Sequence, residues 1–196
     1  MSQSDKPEAA RAGWRLLETS YPFENEMFRL RRDRVEINGQ DEMDYVYQER
    51  AAAVIILPVT AEGEAILIRQ YRYPVDDWCL EIPAGGSHDT GDASLDEVVF
   101  KELQEEIGAT CTALKHVTFF YSSNSMSDEI CHVYLALGAE LSQKPQTEET
   151  ENIEIRKVPL PEALDLARNG HIKTGPCALG LLLCEVPLRQ LGLLPA

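Results

Sequence analysis

Glu102, Glu105 and Glu106 stand within five consecutive positions of the segment KELQEEIGA, residues 101–109. At about 100° of rotation per residue these carboxylates share one side of a helix, within an arc of roughly 100°. Like charges at i,i+3 and i,i+4 disfavour an isolated helix by roughly 0.2–0.5 kcal/mol per pair, so something must offset the crowding. Solvent and salt can do so, and so can a bound divalent cation. An E-x-x-E-E alone is more often a solvated helix face than a metal site, and the surrounding chain has to decide.

The elements that position these groups are legible around them. Ser94 and Glu97 form an S-x-x-E capping box, and Gly108 supplies a stop, which places a helix at about 95–107. Phe100, Leu103 and Ile107 are expected on its buried flank, opposite the acids. A Pro/Gly-rich stretch, EIPAGGSHDTGD, leads into this helix. Further upstream, AAAVIILPV reads as a buried strand paired through a Glu62-Gly63 turn with EAILIRQYRY. The Asn38-Gly39 dipeptide predicts a hairpin in the N-terminal part. Downstream, strands are expected at 113–121, 129–138 and in IEIRKVPL, the last after a polar loop at 142–152. Helices follow at about 161–169, ending at Gly170, and at about 176–185. Residues 1–13 are polar and small, and read as a loose leader.

Bulk properties restrict the partners. A chain of 196 residues suits one domain with a small extension. A net charge of -15 makes nucleic acid an improbable partner, and it requires metal ions or local arginines to overcome the field if the substrate is anionic. The five cysteines are odd in number and form no C-x-x-C pair, which fits reduced thiols. No window approaches the 18 uninterrupted apolar residues of a membrane span, and the N-terminus has no apolar signal region, so a soluble cytoplasmic protein is expected.

Gly86, five intervening residues, Asp92 and then KELQEEIGA resemble the Nudix box, G-x5-E-x7-R-E-U-x-E-E-x-G-U with U apolar. The flanking segments RQYRYPVDDWCLEIPAGG, SMSDE and ENIEIRKVPLPEALDLARNGHIKTG resemble the ADP-ribose pyrophosphatase branch, so the likeness runs over about residues 21–185. The departures are Asp92 for the first glutamate, eight residues rather than seven before the basic position, and Lys101 for arginine. Because Ser94 lies seven residues before Lys101, the insertion is placed in the loop and the glutamate register is kept.

The resemblance implies an α/β protein with the Nudix fold, an α/β/α sandwich on a mixed β-sheet plus an N-terminal β-hairpin extension. It implies three segments: a flexible leader at 1–13, a β extension at 14–50 that joins the subunits of a homodimer, and a Nudix hydrolase domain at 51–196. The activity implied is cleavage of the diphosphate of a nucleoside diphosphate sugar, ADP-ribose foremost, to AMP and ribose 5-phosphate. Alternatives are another sugar nucleotide such as GDP-mannose or ADP-glucose, and a Nudix-like domain that senses a nucleotide without cleaving it. Sensing domains lose box glutamates, and this chain keeps them.

Residue roles follow from the same likeness. Hydrolysing a diphosphate requires neutralising anionic oxygens and activating water, which Mg²⁺ or Mn²⁺ held by hard oxygen ligands can do. Glu102, Glu106 and the Ala84 carbonyl are implied as metal ligands, with Glu105 a further ligand or its orienter. Glu81 is implied as the holder of a metal-bound water. Arg50 and Arg72 match diphosphate-binding positions, although a solvated strand arginine explains either as well. Phe28 and Tyr45 could stack on a base, and Asp128, with Ser127 and Glu129, could line the sugar pocket. Trp78 and His88 lie near the box in sequence, and a wedge in the loop explains the first and a surface turn the second. The catalytic base is expected outside the helix because metal-bound carboxylates lose basicity. Glu151 matches best, with Glu149 its nearest substitute.

Overall fold

The computed structural model describes residues 6–146 and 152–195. The chain divides into two compact units. The first comprises the chain up to Ala51 together with Ser123–Glu129. It opens on a short helix, α1 (Pro7–Arg11), within the stretch that reads as a leader. Three strands follow, β1 (Trp14–Glu24), β2 (Arg29–Ile37) and β3 (Asp41–Glu49), in an antiparallel sheet of order β1-β2-β3. Asn38 and Gly39, at φ 53° and 70°, form the hairpin turn between β2 and β3. β1 extends that hairpin to three strands. On β2, Arg31, Asp33 and Val35 alternate inward. The 123–129 segment joins this unit through a parallel bridge between Gln48 and Ser127.

The second unit carries β4 (Ala53–Val59), β5 (Glu64–Arg72), β6 (Asp77–Glu81), β7 (Ala84–Gly86) and α2 (Leu95–Ile107). It continues with β8 (Ala109–Thr110), β9 (Ala113–Tyr121), β10 (Ile130–Leu137), β11 (Glu140–Leu141) and β12 (Ile153–Pro159). The helices α3 (Leu160–Arg168), α4 (Gly175–Leu183) and α5 (Glu185–Gln190) close it. The main sheet has the order β12-β5-β4-β10-β9, with β6 added to β5 and β7 to β4. Its β4–β10 pair is parallel and the others antiparallel, so the sheet is mixed.

The apolar runs of β4 and β5 are explained by burial on both faces. Val54, Ile56, Ile66 and Ile68 pack with Val98, Val99, Leu103 and Ile107 of α2. The intervening Ile55, Leu57, Val59, Ala65 and Leu67 pack with Leu160, Leu164, Cys177, Leu181 and Leu188 of the closing helices. Each buried Val, Leu or Ile among them contributes roughly 1.5–3 kcal/mol. Among the described residues no helix is long and apolar enough to cross a membrane.

Two expectations need correction. The apolar helix expected at 176–185 ends at Leu183, and a separate α5 begins at Glu185. Phe100 is exposed rather than buried. The buried stripe of α2 is 98, 99, 102, 103, 106 and 107, so Val98 and Val99 take the flank expected for Phe100, and two of the acids lie inside the stripe.

Candidate hydrolytic site

The site is built on α2 and on the β6–β7 segment that precedes it. The N-terminus of α2 is fixed by the capping box: the Ser94 side chain accepts from the Glu97 amide, and the Ser94 amide donates to Glu97 Oε2 at 2.7 Å. Hydrogen bonds from Ser94 hold the Glu97 carboxyl below its usual range. At the other end Gly108 adopts φ 62°, and a side chain there would strike the Gln143 carbonyl at 2.1 Å.

Between these caps, Glu102 is 8% exposed and Glu106 2%. Glu106 Oε2 accepts from the Ala84 amide at 3.1 Å, which ties the helix to β7. A Cβ on Gly85 would fall 2.1 Å from the Glu102 carboxyl carbon, so this carboxylate lies directly over a bare backbone. Glu105 is partly exposed and turned to Lys101, whose Nζ lies 3.3 Å from it. Among the described residues no group of three or more His, Cys, Asp or Glu side chains converges on one metal position. Glu102 and Glu106 are a buried pair, with Glu105 beside them as the further ligand or orienter expected. The donor chemistry, two buried carboxylates beside a glycine backbone, fits a hard divalent cation, whose remaining ligands backbone carbonyls and waters supply.

Lys101 donates to Asp89 Oδ2 at 2.7 Å, and Asp92, the residue aligned with the first box glutamate, is exposed in the following turn. Burial acts to lower the Lys101 pKa, but the Asp89 hydrogen bond and the charges of Glu102 and Glu105 raise it overall. The same hydrogen bond keeps the Asp89 carboxyl below its usual range.

Arg72 grips Glu81 in a fork, Nε to Oε1 at 3.1 Å and Nη2 to Oε2 at 2.6 Å. Thr174, just ahead of α4, donates to the same Glu81 at 2.7 Å. Glu81 is thus a fully buried carboxylate with three donors, and its hydrogen bond raises the Arg72 pKa further. Below them Cys177 donates to the Ile82 carbonyl, and burial pushes its thiol up to about 12. Trp78 stacks near Tyr71 and under Arg69, at 6.0 Å and 4.5 Å, and His88 is exposed in the loop.

The remaining candidates lie in the first unit. The Arg50 amide donates to Asp128 Oδ1 at 2.9 Å, and its Nε lies 3.1 Å from Glu129 Oε1. Tyr45 donates to the Ser125 carbonyl at 3.1 Å, and its ring meets Trp14 and Tyr47 edge-on. Ser127 Oγ accepts from the Glu129 amide. Phe28 packs on Phe23 at 5.6 Å, and the Arg29–Glu49 register puts it at the Arg50 end of the sheet. Arg50, Tyr45 and Asp128 thus gather around the 123–129 segment. Glu149 and Glu151 lie outside the described residues. Asp89 and Thr174 were missed in the sequence because each acts through a partner 12 or 93 positions away.

A family profile described as NUDIX domain matches residues 48–176. The ADP-ribose pyrophosphatase of Bacillus subtilis (strain 168) is 36% identical over 121 residues, covering 61% of this chain and 64% of that one. This chain therefore spans less than two thirds of that relative. The methanol dehydrogenase activator of Bacillus methanolicus is 30% identical over 162 residues, covering 81% and 85%. The GDP-mannose pyrophosphatase of Salmonella arizonae is 26% identical over 141 residues, covering 68% and 73%. The crystal structure of an ADP compounds hydrolase shares the fold at a TM-score of 0.80 and 20% identity, over 92% of this chain and 97% of that one.

Proposed function

The chain belongs to the Nudix family, and on that premise we propose that it is a divalent-metal-dependent pyrophosphatase that splits a nucleoside diphosphate sugar, with ADP-ribose giving AMP and ribose 5-phosphate. The observation that carries this reading is the buried Glu102–Glu106 pair, clasped to β7 through the Ala84 amide and passing over Gly85. Two carboxylates at this spacing suit the ligand set of a hard divalent cation, which hydrolysis needs and sensing does not.

Mg²⁺ or Mn²⁺ held by Glu102, Glu106 and the Ala84 carbonyl would neutralise the diphosphate and lower the pKa of water. The chain's own groups do the rest. Glu105 is steadied by Lys101, which Asp89 anchors. Arg72 presents positive charge beside Glu81, with its side chain 41% exposed and able to meet a phosphate oxygen. A glutamate of the 149–151 stretch, Glu151 before Glu149, takes the proton of the attacking water. Arg50, Phe28, Tyr45 and Asp128 supply phosphate, base and sugar contacts. The extended N-terminal sheet supports a homodimer, and the five free thiols fit a reducing cytoplasm.

The test is a panel of ADP-ribose, ADP-glucose and GDP-mannose with Mg²⁺ or Mn²⁺, reading release of the nucleoside monophosphate. ADP-ribose should be cleaved fastest, and EDTA should stop the reaction. Preferential release of GMP would support the sugar-nucleotide alternative that the GDP-mannose pyrophosphatase relative favours. No release from any of the panel would overturn the reading.

A further inference from the structure

Gln70 lies on β5 and is 3% exposed, and among the described residues its Oε1 is the sole buried side-chain oxygen or nitrogen without a hydrogen-bond partner. Such an acceptor carries its full desolvation cost, and folded proteins keep few of them.

Its place in the sheet says what the cost is for. Side chains on β5 alternate, and Ile66 and Ile68 pack under α2, so Gln70 and Arg72 continue the same row. The neighbours agree: Ile153 stands opposite Gln70 on β12, and Ile155 opposite Ile68, and both pack into that layer. On the other side, Glu81 of β6 stands opposite Ile68. Gln70 thus stands between Ile68, which packs under α2, and Arg72, which bonds Glu81 and lies close enough to Glu106 to feel its charge.

An amide oxygen accepts and does not donate, so a phosphate oxygen or a carboxylate cannot satisfy it. A sugar hydroxyl could in principle, but a residue this enclosed admits no sugar ring. Water is small enough, and after donating once to Oε1 it has a second hydrogen for an anionic oxygen. We propose that Gln70 Oε1 is the acceptor for an ordered water at the floor of the hydrolytic site, and that Gln70 is a positioning residue that orients this water for hydrolysis. The inference rests on the hydrolytic reading given above.

Gln70→Leu and Gln70→Met keep the size and remove the acceptor. Both should leave Tm close to the wild-type value, since an apolar group of similar size replaces the buried amide and its water, while kcat falls about tenfold or more at unchanged KM. A crystal structure of the wild type should place a water within about 3.2 Å of Oε1. Either variant turning over at the wild-type kcat would overturn the inference alone, as would an Oε1 bonded to protein with no water near it. Loss of Tm and kcat together in both variants would assign Gln70 to the fold and overturn it as well. A wild type inactive on every nucleotide sugar would instead remove the hydrolytic reading, and this inference with it.

Discussion

Lys101 Nζ lies 2.7 Å from Asp89 Oδ2, so one ammonium fastens the loop ahead of α2 to the glutamate row that α2 carries. The alignment of the box gives that role to Asp92. The loop instead turns back early, with the Thr90 hydroxyl donating to the Ser87 carbonyl and Gly91 at φ 58°, which leaves Asp92 beyond the contact. Asp89→Asn should therefore lower kcat/KM by about twofold to fivefold, the range of a partly exposed ion pair, and Asp92→Asn should match the wild type. Lys101→Arg should retain activity. Steady-state kinetics on the three variants check the assignment, and a larger effect at Asp92 than at Asp89 would reverse it.

Gly85 and Glu102 make a second prediction. A Cβ at Gly85 would meet both carboxylate oxygens of Glu102 within 2.4 Å, with the buried α2 leaving little room for retreat. Gly85→Ala should swing that carboxylate aside and weaken divalent-ion binding by about tenfold to 100-fold, the range seen when a ligand loses its support. Calorimetric titration with Mn²⁺ reads this without substrate. An unchanged affinity would remove Glu102 from the ligand set.

A third prediction concerns acid stability of the N-terminal unit. Arg31 is 1% exposed, and it donates to Asp33 at 2.8 Å and to Glu49 at 3.2 Å. Burial pushes the Asp33 carboxyl up, but Arg31 and Thr19 outweigh it and hold it below its usual range; Glu49 is held down likewise by Arg29 and Arg31. Because the folded values lie below the unfolded ones, the unfolded chain binds more protons between them. The stabilisation is present above the ordinary carboxylate pKa of about 4 and is lost as pH falls through the lowered values. Asp33→Asn should reduce stability at pH 7 by about 3 kcal/mol and flatten the acid limb of the Tm-against-pH curve. An unchanged acid limb would refute the linkage.

What the sequence disclosed, and what it hid, follow from range. The capping box and Gly108 bounded α2 correctly, and the apolar runs of β4 and β5 announced strands, because those signals are local. The facing of α2 was misjudged at Phe100 because Val98 and Val99 compete for the same flank, and only the sheet decides between them. β6 and β7 are short and contain Asp77, Gly85 and Gly86, so they carry no strand periodicity, and pairing with β5 and β4 makes them strands. The break before α5 has a local cause: Pro187 has no amide hydrogen to donate to Leu183. The glutamates of the site were legible as types at a spacing. Their burial, the bonds that Ala84 and Thr174 donate to them, and the bond that Lys101 donates to Asp89 depend on contacts that close only in three dimensions.

The final prediction separates the metal-holding carboxylates from the base. Glu106→Gln should keep the fold, since the Ala84 amide can still bond the side-chain oxygen, but it removes a charged ligand and should weaken Mn²⁺ binding and kcat together. A carboxylate that holds a cation is a poor base, so the proton of the attacking water should go to a group outside that pair. Ile153 pairs with Gln70, which fixes the start of β12 beside the row leading to Arg72. Glu151→Gln should then lower kcat by about 10²–10⁴-fold with Mn²⁺ affinity unchanged. Normal turnover in Glu151→Gln with loss in Glu149→Gln would move the base by two residues and keep the mechanism. Normal turnover in both would bring the proton transfer back to α2, where Glu105, partly exposed and bound to Lys101 rather than buried over β7, is the carboxylate left to perform it.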